Sequence, residues 1–167
     1  MTDFQIKAAT EQDVPLILSF IRQLAEYERL SQACVATEEL LRESLFGPRP
    51  AAEVIVASTG DRPVGFALFF HNYSTFLGRP GIYLEDLFVV PEMRGRGYGK
   101  ALLVHLAGIA RERRCGRLEW SVLDWNEPSI RFYKSLGAIS MDEWTIYRVT
   151  GESLERLASA PVTTRNP

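Results

Sequence analysis

Ile82-Tyr83-Leu84-Glu85-Asp86-Leu87-Phe88-Val89-Val90-Pro91-Glu92-Met93-Arg94-Gly95-Arg96-Gly97-Tyr98-Gly99-Lys100 is the stretch that decides the fold. Its first half, Ile82 to Val90, reads as a buried strand. A helix from Tyr98 to about Arg113 follows, with Ala101, Leu102, His105, Leu106, Ile109 and Ala110 on one face. Between them, glycines at alternate positions let the backbone approach a ligand without side-chain interference. The first-turn amides of the helix have no intrahelical partner and lie at its positive end. Arg94 and Arg96 add charge, so the junction reads as a cradle for a diphosphate.

Two familiar phosphate loops do not fit. A nucleoside-triphosphate loop separates its first glycine from Gly-Lys by four residues and continues with Ser or Thr. Here three residues separate Gly95 from Gly99-Lys100, and Ala101 follows. A dinucleotide fingerprint has the spacing Gly-x-Gly-x-x-Gly, whereas Gly95, Gly97 and Gly99 are evenly spaced.

The remainder of the chain sets the context. Its 167 residues suit one domain with a sizeable core, and 46% hydrophobic with 24% charged residues is the mix of a globular protein. A net charge of -2 argues against nucleic acid as the main partner. Cys34 and Cys115 form neither a disulfide framework nor a metal motif, and His71 and His105 lack ligand spacing, so no metal is expected. The N-terminus lacks a signal peptide's apolar region, and the longest apolar run, Val64 to Phe70, is too short to cross a membrane. A cytoplasmic protein with unpaired thiols follows.

From the N-terminus, Phe4 to Ala8 alternates as a strand. Thr10 and Asp13 form a capping box for a helix that ends near Leu30 and carries Val14, Ile17, Leu18, Ile21, Leu24 and Ala25 on one face. Thr37 caps a second helix, Glu38 to Phe46, stopped by Gly47. Glu53 to Ser58 and Pro63 to His71 form an antiparallel hairpin. Asn72 to Gly81 reads as an irregular loop whose Phe76 and Leu77 either pack on the core or form a lip over a substrate. A strand over Arg117 to Val122, a short helix beginning at Asn126-Glu127-Pro128 and stopped by Gly137, a strand over Trp144 to Val149 and a helix over Glu152 to Ala158 follow. Pro161 to Pro167 reads as a frayed tail. The order βααβββαβαβ(α) gives a mixed α/β single domain.

Arg-Gly-x-Gly-x-Gly after a strand ending in Val-x-Pro resembles the acetyl-CoA loop of the GCN5-related N-acetyltransferases. Asn126-x-x-Ser129-x-x-Phe132-Tyr133, followed by Gly137, resembles the same superfamily. Tyr83-Leu84-Glu85-Asp86-Leu87-Phe88-Val89, Trp125-Asn126-Glu127-Pro128-Ser129-Ile130 and Leu24-Ala25-x-Tyr27-Glu28 are similar to its spermidine/spermine (diamine) acetyltransferase branch. The resemblance runs from Ile6 to about Leu157. It implies one N-acetyltransferase domain over residues 1–167, with 160–167 as a flexible tail, and a central mixed, mostly antiparallel twisted sheet flanked by helices. It also implies acetyl-CoA as cosubstrate and a homodimer. The cofactor would be held by Leu87, Phe88, Val89, Arg94, Gly95, Arg96, Gly97, Tyr98, Gly99, Lys100, Asn126 and Ser129.

Acetyl transfer to an amine requires a neutral attacking nitrogen, a donor for the developing oxyanion and a proton for the departing thiolate. An aliphatic amine, with a pKa of about 10.4, is protonated at neutral pH, so a base is useful. Glu85, acting directly or through a water, is the candidate base, and Tyr133 the candidate acid. A tyrosine phenol, with a reference pKa of about 10, carries its proton at neutral pH. Glu85 and Asp86 are strand neighbours that face opposite sides unless a bulge intervenes; Asp86 reads as a salt-bridge or loop anchor, with a substrate role as the alternative. A cationic acceptor would meet Tyr27, Glu28, Glu85, Glu119, Trp120 and Trp144. Ser74-Thr75-Phe76 departs from the Asp-Pro-Trp that the resemblance implies for polyamine-acetylating members, which leaves room for a lysine-like or thialysine-like amino acid whose carboxylate meets Arg79 or Arg148. The expected activity is acetyl transfer to a diamine, polyamine or lysine-like amino acid. The alternatives are a protein N-terminal or lysine acetyltransferase, and a coenzyme A-binding sensor without turnover.

Overall fold

The computed structural model describes residues 4–162. It forms two compact units, residues 1–125 and residues 126–167.

The first unit is built on one sheet in the order β1-β2-β3-β4-β5. Its strands are β1 (Phe4–Ala8), β2 (Glu53–Thr59), β3 (Arg62–Ser74), β4 (Arg79–Val89) and β5 (Leu118–Trp120). The first four pair antiparallel, and β5 joins β4 in parallel. This is the mixed, mostly antiparallel sheet expected. Helices α1 (Val14–Tyr27), α2 (Glu38–Phe46) and α3 (Tyr98–Glu112) accompany it.

The helix starts follow local chemistry. Asp13 accepts from the Thr10 amide at 2.7 Å and from its hydroxyl at 3.0 Å, fixing the turn that leads into α1. Thr37 accepts the Leu40 amide at 3.2 Å and caps α2. Arg113 pairs with Glu53, tying the end of α3 to β2, and the guanidinium holds the Glu53 carboxyl below the usual range.

Both faces of the sheet are covered. Phe66 and Phe69 are three apart on β3 and so point to opposite faces, yet both are fully buried. On one face Phe66 stacks on Phe20 of α1 at 5.4 Å, and Phe20 also meets Phe88 at 5.8 Å. Phe20 was not among the residues expected on the apolar face of α1. On the other face the Arg113 guanidinium, at the end of α3, lies 5.9 Å from Phe69. Leu102 and Leu106 of α3 are fully buried, whereas His105, expected in the core or at its boundary, is exposed.

The expected loop from Asn72 to Gly81 is instead mostly strand. Pairing of β3 with β4 continues to Ser74↔Arg79, which leaves a four-residue turn with Gly78 left-handed. Asn72 is held in the ladder by its side chain, which donates to Glu119 at 2.7 Å. Phe76, at the turn, is 96% exposed, so it does not pack on the core. The strand expected over Arg117 to Val122 shrinks to three residues because β4 offers it pairing only from Ile82 to Leu84.

The second unit holds α4 (Glu127–Ser135) and α5 (Gly151–Ala158). The Asn126 side chain accepts the Ser129 amide at 3.4 Å and caps α4, and Gly137 stops it in a left-handed conformation. The strand expected over Trp144 to Val149 is absent. Its alternation suits a strand, but a strand needs a neighbour for its backbone groups, and no ladder includes this segment. Ile146 and Tyr147 are accordingly exposed. Of the expected tail, Val162 is exposed and irregular, and residues 163–167 lie outside the described part.

Gly65 tests the core of the first unit. A Cβ built there would lie 2.5 Å from the Phe88 carbonyl oxygen, a backbone atom that cannot step aside. Gly65→Ala is expected to destabilise the protein by about 1–3 kcal/mol, read as a lowered denaturant midpoint.

Candidate functional site

The site begins where β4 loses a neighbour. Up to Leu84 the strand has β3 on one side and β5 on the other; from Asp86 to Val89 it has β3 alone. The edge that β5 leaves open can hydrogen-bond an extended ligand.

A bulge sits at the same point. Leu68 pairs with Asp86 and Phe69 with Leu84, so Glu85 has no residue opposite it. Leu84 shares the face of Phe69, and Asp86 and Phe88 share the face of Phe66, toward α1. Without the extra residue Leu84, Asp86 and Phe88 would all face one way.

Asp86 is thereby brought near Glu28, which follows α1. Its carboxyl is pushed up to about 6, first by burial, then by the charges of Glu85 and Glu28. Burial also raises Glu28. Glu85 itself is exposed. Three carboxylates therefore share one end of the open edge, an arrangement whose mutual repulsion a cation would relieve. From the sequence Asp86 stood between an anchor and a substrate-facing carboxylate; the bulge that turns it toward α1 has no sequence signature.

An aromatic and cationic ladder borders this cluster. The Arg94 guanidinium lies 4.6 Å from the Tyr27 ring and 5.5 Å from that of Phe88, and its Nε donates to the Val89 carbonyl at 2.9 Å. Tyr27 meets Trp125 at 6.2 Å, and Arg29 lies 5.1 Å over Trp125. Arg94 is thus engaged with the strand and α1, and one acceptor of Val89 is taken.

The glycine loop has the conformation an anion cradle needs. Gly95 and Gly97 have φ of 73° and 88°, left-handed values that disfavour a side chain, and a Cβ at either would meet open space. Gly97 is the N-cap of α3, whose first turn carries no acidic residue. The amides of Tyr98, Gly99 and Lys100 have no acceptor within the helix. Arg96 and Lys100 are exposed at this positive end, while the Tyr98 ring stacks on Phe4 at 5.0 Å. Gly99 differs from the other two: its φ is not left-handed, and a Cβ would make only an ordinary contact with Val89 at 3.9 Å. Donors, charge and open space fit a pyrophosphate such as that of acetyl-CoA.

The other expected acceptor residues are placed less simply. Glu119 accepts from Asn72 and pairs with Arg117 at 2.8 Å, so its charge is already balanced. Trp120 is half-buried on β5 opposite Leu84. Arg79 opens β4, seven residues and roughly 23 Å along the strand from Asp86, beyond the reach of a lysine-sized molecule. In the second unit, Tyr133 lies on α4 against Phe132 at 5.4 Å, Asn126 and Ser129 form the cap of that helix, and Trp144 and Arg148 are exposed.

Residues 20–138 match the acetyltransferase (GNAT) family. Thialysine N-epsilon-acetyltransferase of Bos taurus is 40% identical over 95% of this chain and 99% of its own. Spermidine/spermine N(1)-acetyltransferase-like protein 1 of Homo sapiens is 33% identical over 95% of this chain and 24% of its own. These are the families that the motifs resemble. An integron cassette protein from the mobile metagenome of V. cholerae has a similar structure, with a TM-score of 0.81, 29% identity and coverage of 96% of this chain and 100% of that one.

The cradle separates its glycines by experiment. Gly97→Ala should weaken acetyl-CoA binding at least tenfold by calorimetry, and Gly99→Ala distinctly less; equal losses would mean that left-handed geometry is not what the loop requires. Asp86 sets a stability trend. Its shift from 3.8 to about 6 corresponds to about 3 kcal/mol against the charged form. The folded state holds this proton more tightly than the unfolded chain, so stability falls as pH rises from about 4 to beyond 6. Asp86→Asn should raise Tm at pH about 7.5, with the gain closing by pH about 4.

Proposed function

The chain belongs to the acetyltransferase (GNAT) family, and we propose that it transfers the acetyl group of acetyl-CoA directly to a primary amine of a small cationic acceptor. The observation that carries this reading is the bulge at Glu85, which gathers Glu28, Glu85 and Asp86 at the start of the open β4 edge, while the glycine cradle lies beyond that edge's other end. Relatives named for thialysine and for spermidine/spermine share an amine acceptor, which fits an acidic acceptor end.

Acetyl-CoA supplies the acetyl group as a thioester. The amides of Gly97 to Lys100, with Arg96 and Lys100, would hold its pyrophosphate. The open β4 edge from Leu87 to Val89 offers backbone groups to the pantetheine arm. Phe88 and Arg94 support this edge from α1's side rather than meeting the phosphates. Asn126 and Ser129 are assigned to the cofactor by the motif they match.

Glu28, Glu85 and Asp86 draw in the ammonium, and Tyr27 offers it an aromatic face. The amine must lose a proton to attack. Asp86, raised to about 6, is assigned as the group that takes it, with the exposed Glu85 relaying it through water. As the C–N bond forms and the C–S bond breaks, Tyr133 gives its proton to the departing sulfur, and the second proton shed by the attacking nitrogen restores the phenol. Glu119 is left to its partners on β3 and β5.

We place the protein in the cytoplasm as a single catalytic domain, in line with two unpaired cysteines. Among the described residues no helix is long and apolar enough to cross a membrane. We also assign a homodimer. The large apolar residues Ile139, Met141, Ile146 and Tyr147 are exposed, which supports burial against a second copy.

Coenzyme A release measured against spermidine, putrescine, lysine, ornithine and short peptides tests the reading. Turnover is expected with the small amines, and preference for peptides would overturn it. With the best acceptor, Tyr133→Phe should lower kcat by about 10²–10⁴-fold. Wild-type kcat/KM should show a limb falling below pH about 6 as Asp86 takes up a proton. Asp86→Asn should remove that limb and Glu85→Gln should keep it.

A further inference from the structure

Among the cations of the first unit, Arg29 combines a place over a tryptophan ring with the absence of a carboxylate partner. Arg42, Arg62, Arg113 and Arg117 all have carboxylate partners, and Arg94 donates to the backbone. Among the described residues no carboxylate lies within ion-pair distance of Arg29, although Glu28 precedes it. Its guanidinium lies over the Trp125 ring, at 5.1 Å. An aromatic face orients a guanidinium without neutralising it, so the hydrogen-bonding edge stays available.

The backbone contributes to this. Arg29 has φ of 61°, and the Leu30 amide donates to the Ala25 carbonyl at 2.8 Å, closing α1 in the manner of a Schellman motif. That left-handed position favours glycine and costs another residue about 1 kcal/mol. Arg114 does the same at the end of α3, so strain alone does not single out Arg29. Location does. Arg29 follows Glu28, whose charge is felt by Asp86, and joins the Tyr27–Trp125 ladder at the edge of the acidic cluster. Arg29 thus lies beside the Tyr27–Trp125 pair, next in sequence to the Glu28 whose charge reaches Asp86.

We propose that Arg29 is the carboxylate anchor of the acceptor site, and that the acceptor is an amino acid bearing a side-chain amine rather than a diamine or polyamine. The assignment rests on the amine acetyltransferase reading above. The side-chain ammonium meets Glu28, Glu85 and Asp86, the methylene chain lies along Tyr27 and Trp125, and the carboxylate accepts two parallel hydrogen bonds from Arg29. Arg79 is too far along β4 for this task.

The test compares acceptors that differ only in the carboxylate: lysine with cadaverine, and ornithine with putrescine. Two variants are used. Arg29→Asn removes the cation with a residue that tolerates left-handed backbone, and Arg29→Lys keeps the charge but loses the fork. Wild type is expected to prefer each amino acid over its decarboxylated counterpart. Arg29→Asn should raise KM for the amino acid about tenfold to a hundredfold with kcat kept, leave KM for the diamine unchanged, and erase the preference. Arg29→Lys should recover part of it. A wild-type preference for the diamines, or equal KM changes for both members of a pair, overturns the anchor while leaving the acetyltransferase reading intact. No coenzyme A release with any amine overturns that reading first, and the anchor with it.

Discussion

Everything at the site depends on where β4 changes neighbours. A central strand with partners on both sides has no backbone group to spare. This strand gives up β5 after Leu84, gains an extra residue at Glu85, and continues with one partner. The change of pairing frees one edge, and the change of face turns a carboxyl toward α1. The core tolerates the kink because Phe66 and Phe69 fill opposite faces of β3 across from it, so each half of β4 has its own aromatic backing.

The two ends of the open edge have opposite electrical character. Beyond Val89 lie the amides and cations of the α3 N-terminus. Before Leu87 lie the carboxylates of Glu28, Glu85 and Asp86. On the proposed reading, an anionic cosubstrate and a cationic acceptor would be sorted to different ends before any shape fitting occurs. Arg94 would upset this sorting if it pointed into the open edge; its bond to Val89 and its position over Tyr27 hold it against the protein.

Much of this was legible in the sequence, wherever one residue type has one cheap conformation. Gly95 and Gly97 announced a loop that lets the backbone approach a ligand, Thr37 a helix cap, and Asn126-Glu127-Pro128 a helix start. The strand and helix around the loop followed from their apolar periods. What was not legible depends on partners distant in the chain. The bulge at Glu85 is a register relation between β3 and β4. The third glycine, Gly99, looked equivalent to the others but has no left-handed backbone. Trp144 to Val149 had the pattern of a strand and no ladder to join. Nothing in the sequence singles out Arg29; its place over Trp125 is a tertiary relation.

The ladder from Arg94 through Tyr27 and Trp125 to Arg29 also has an optical side. The three tryptophans sit in unlike surroundings: Trp120 half-buried on β5, Trp144 exposed, and Trp125 beneath a guanidinium. The field of a nearby positive charge shifts the emission of an indole ring. Trp125 thus makes the chain its own indicator dye, its fluorescence changing whenever the charge above it is neutralised or moved.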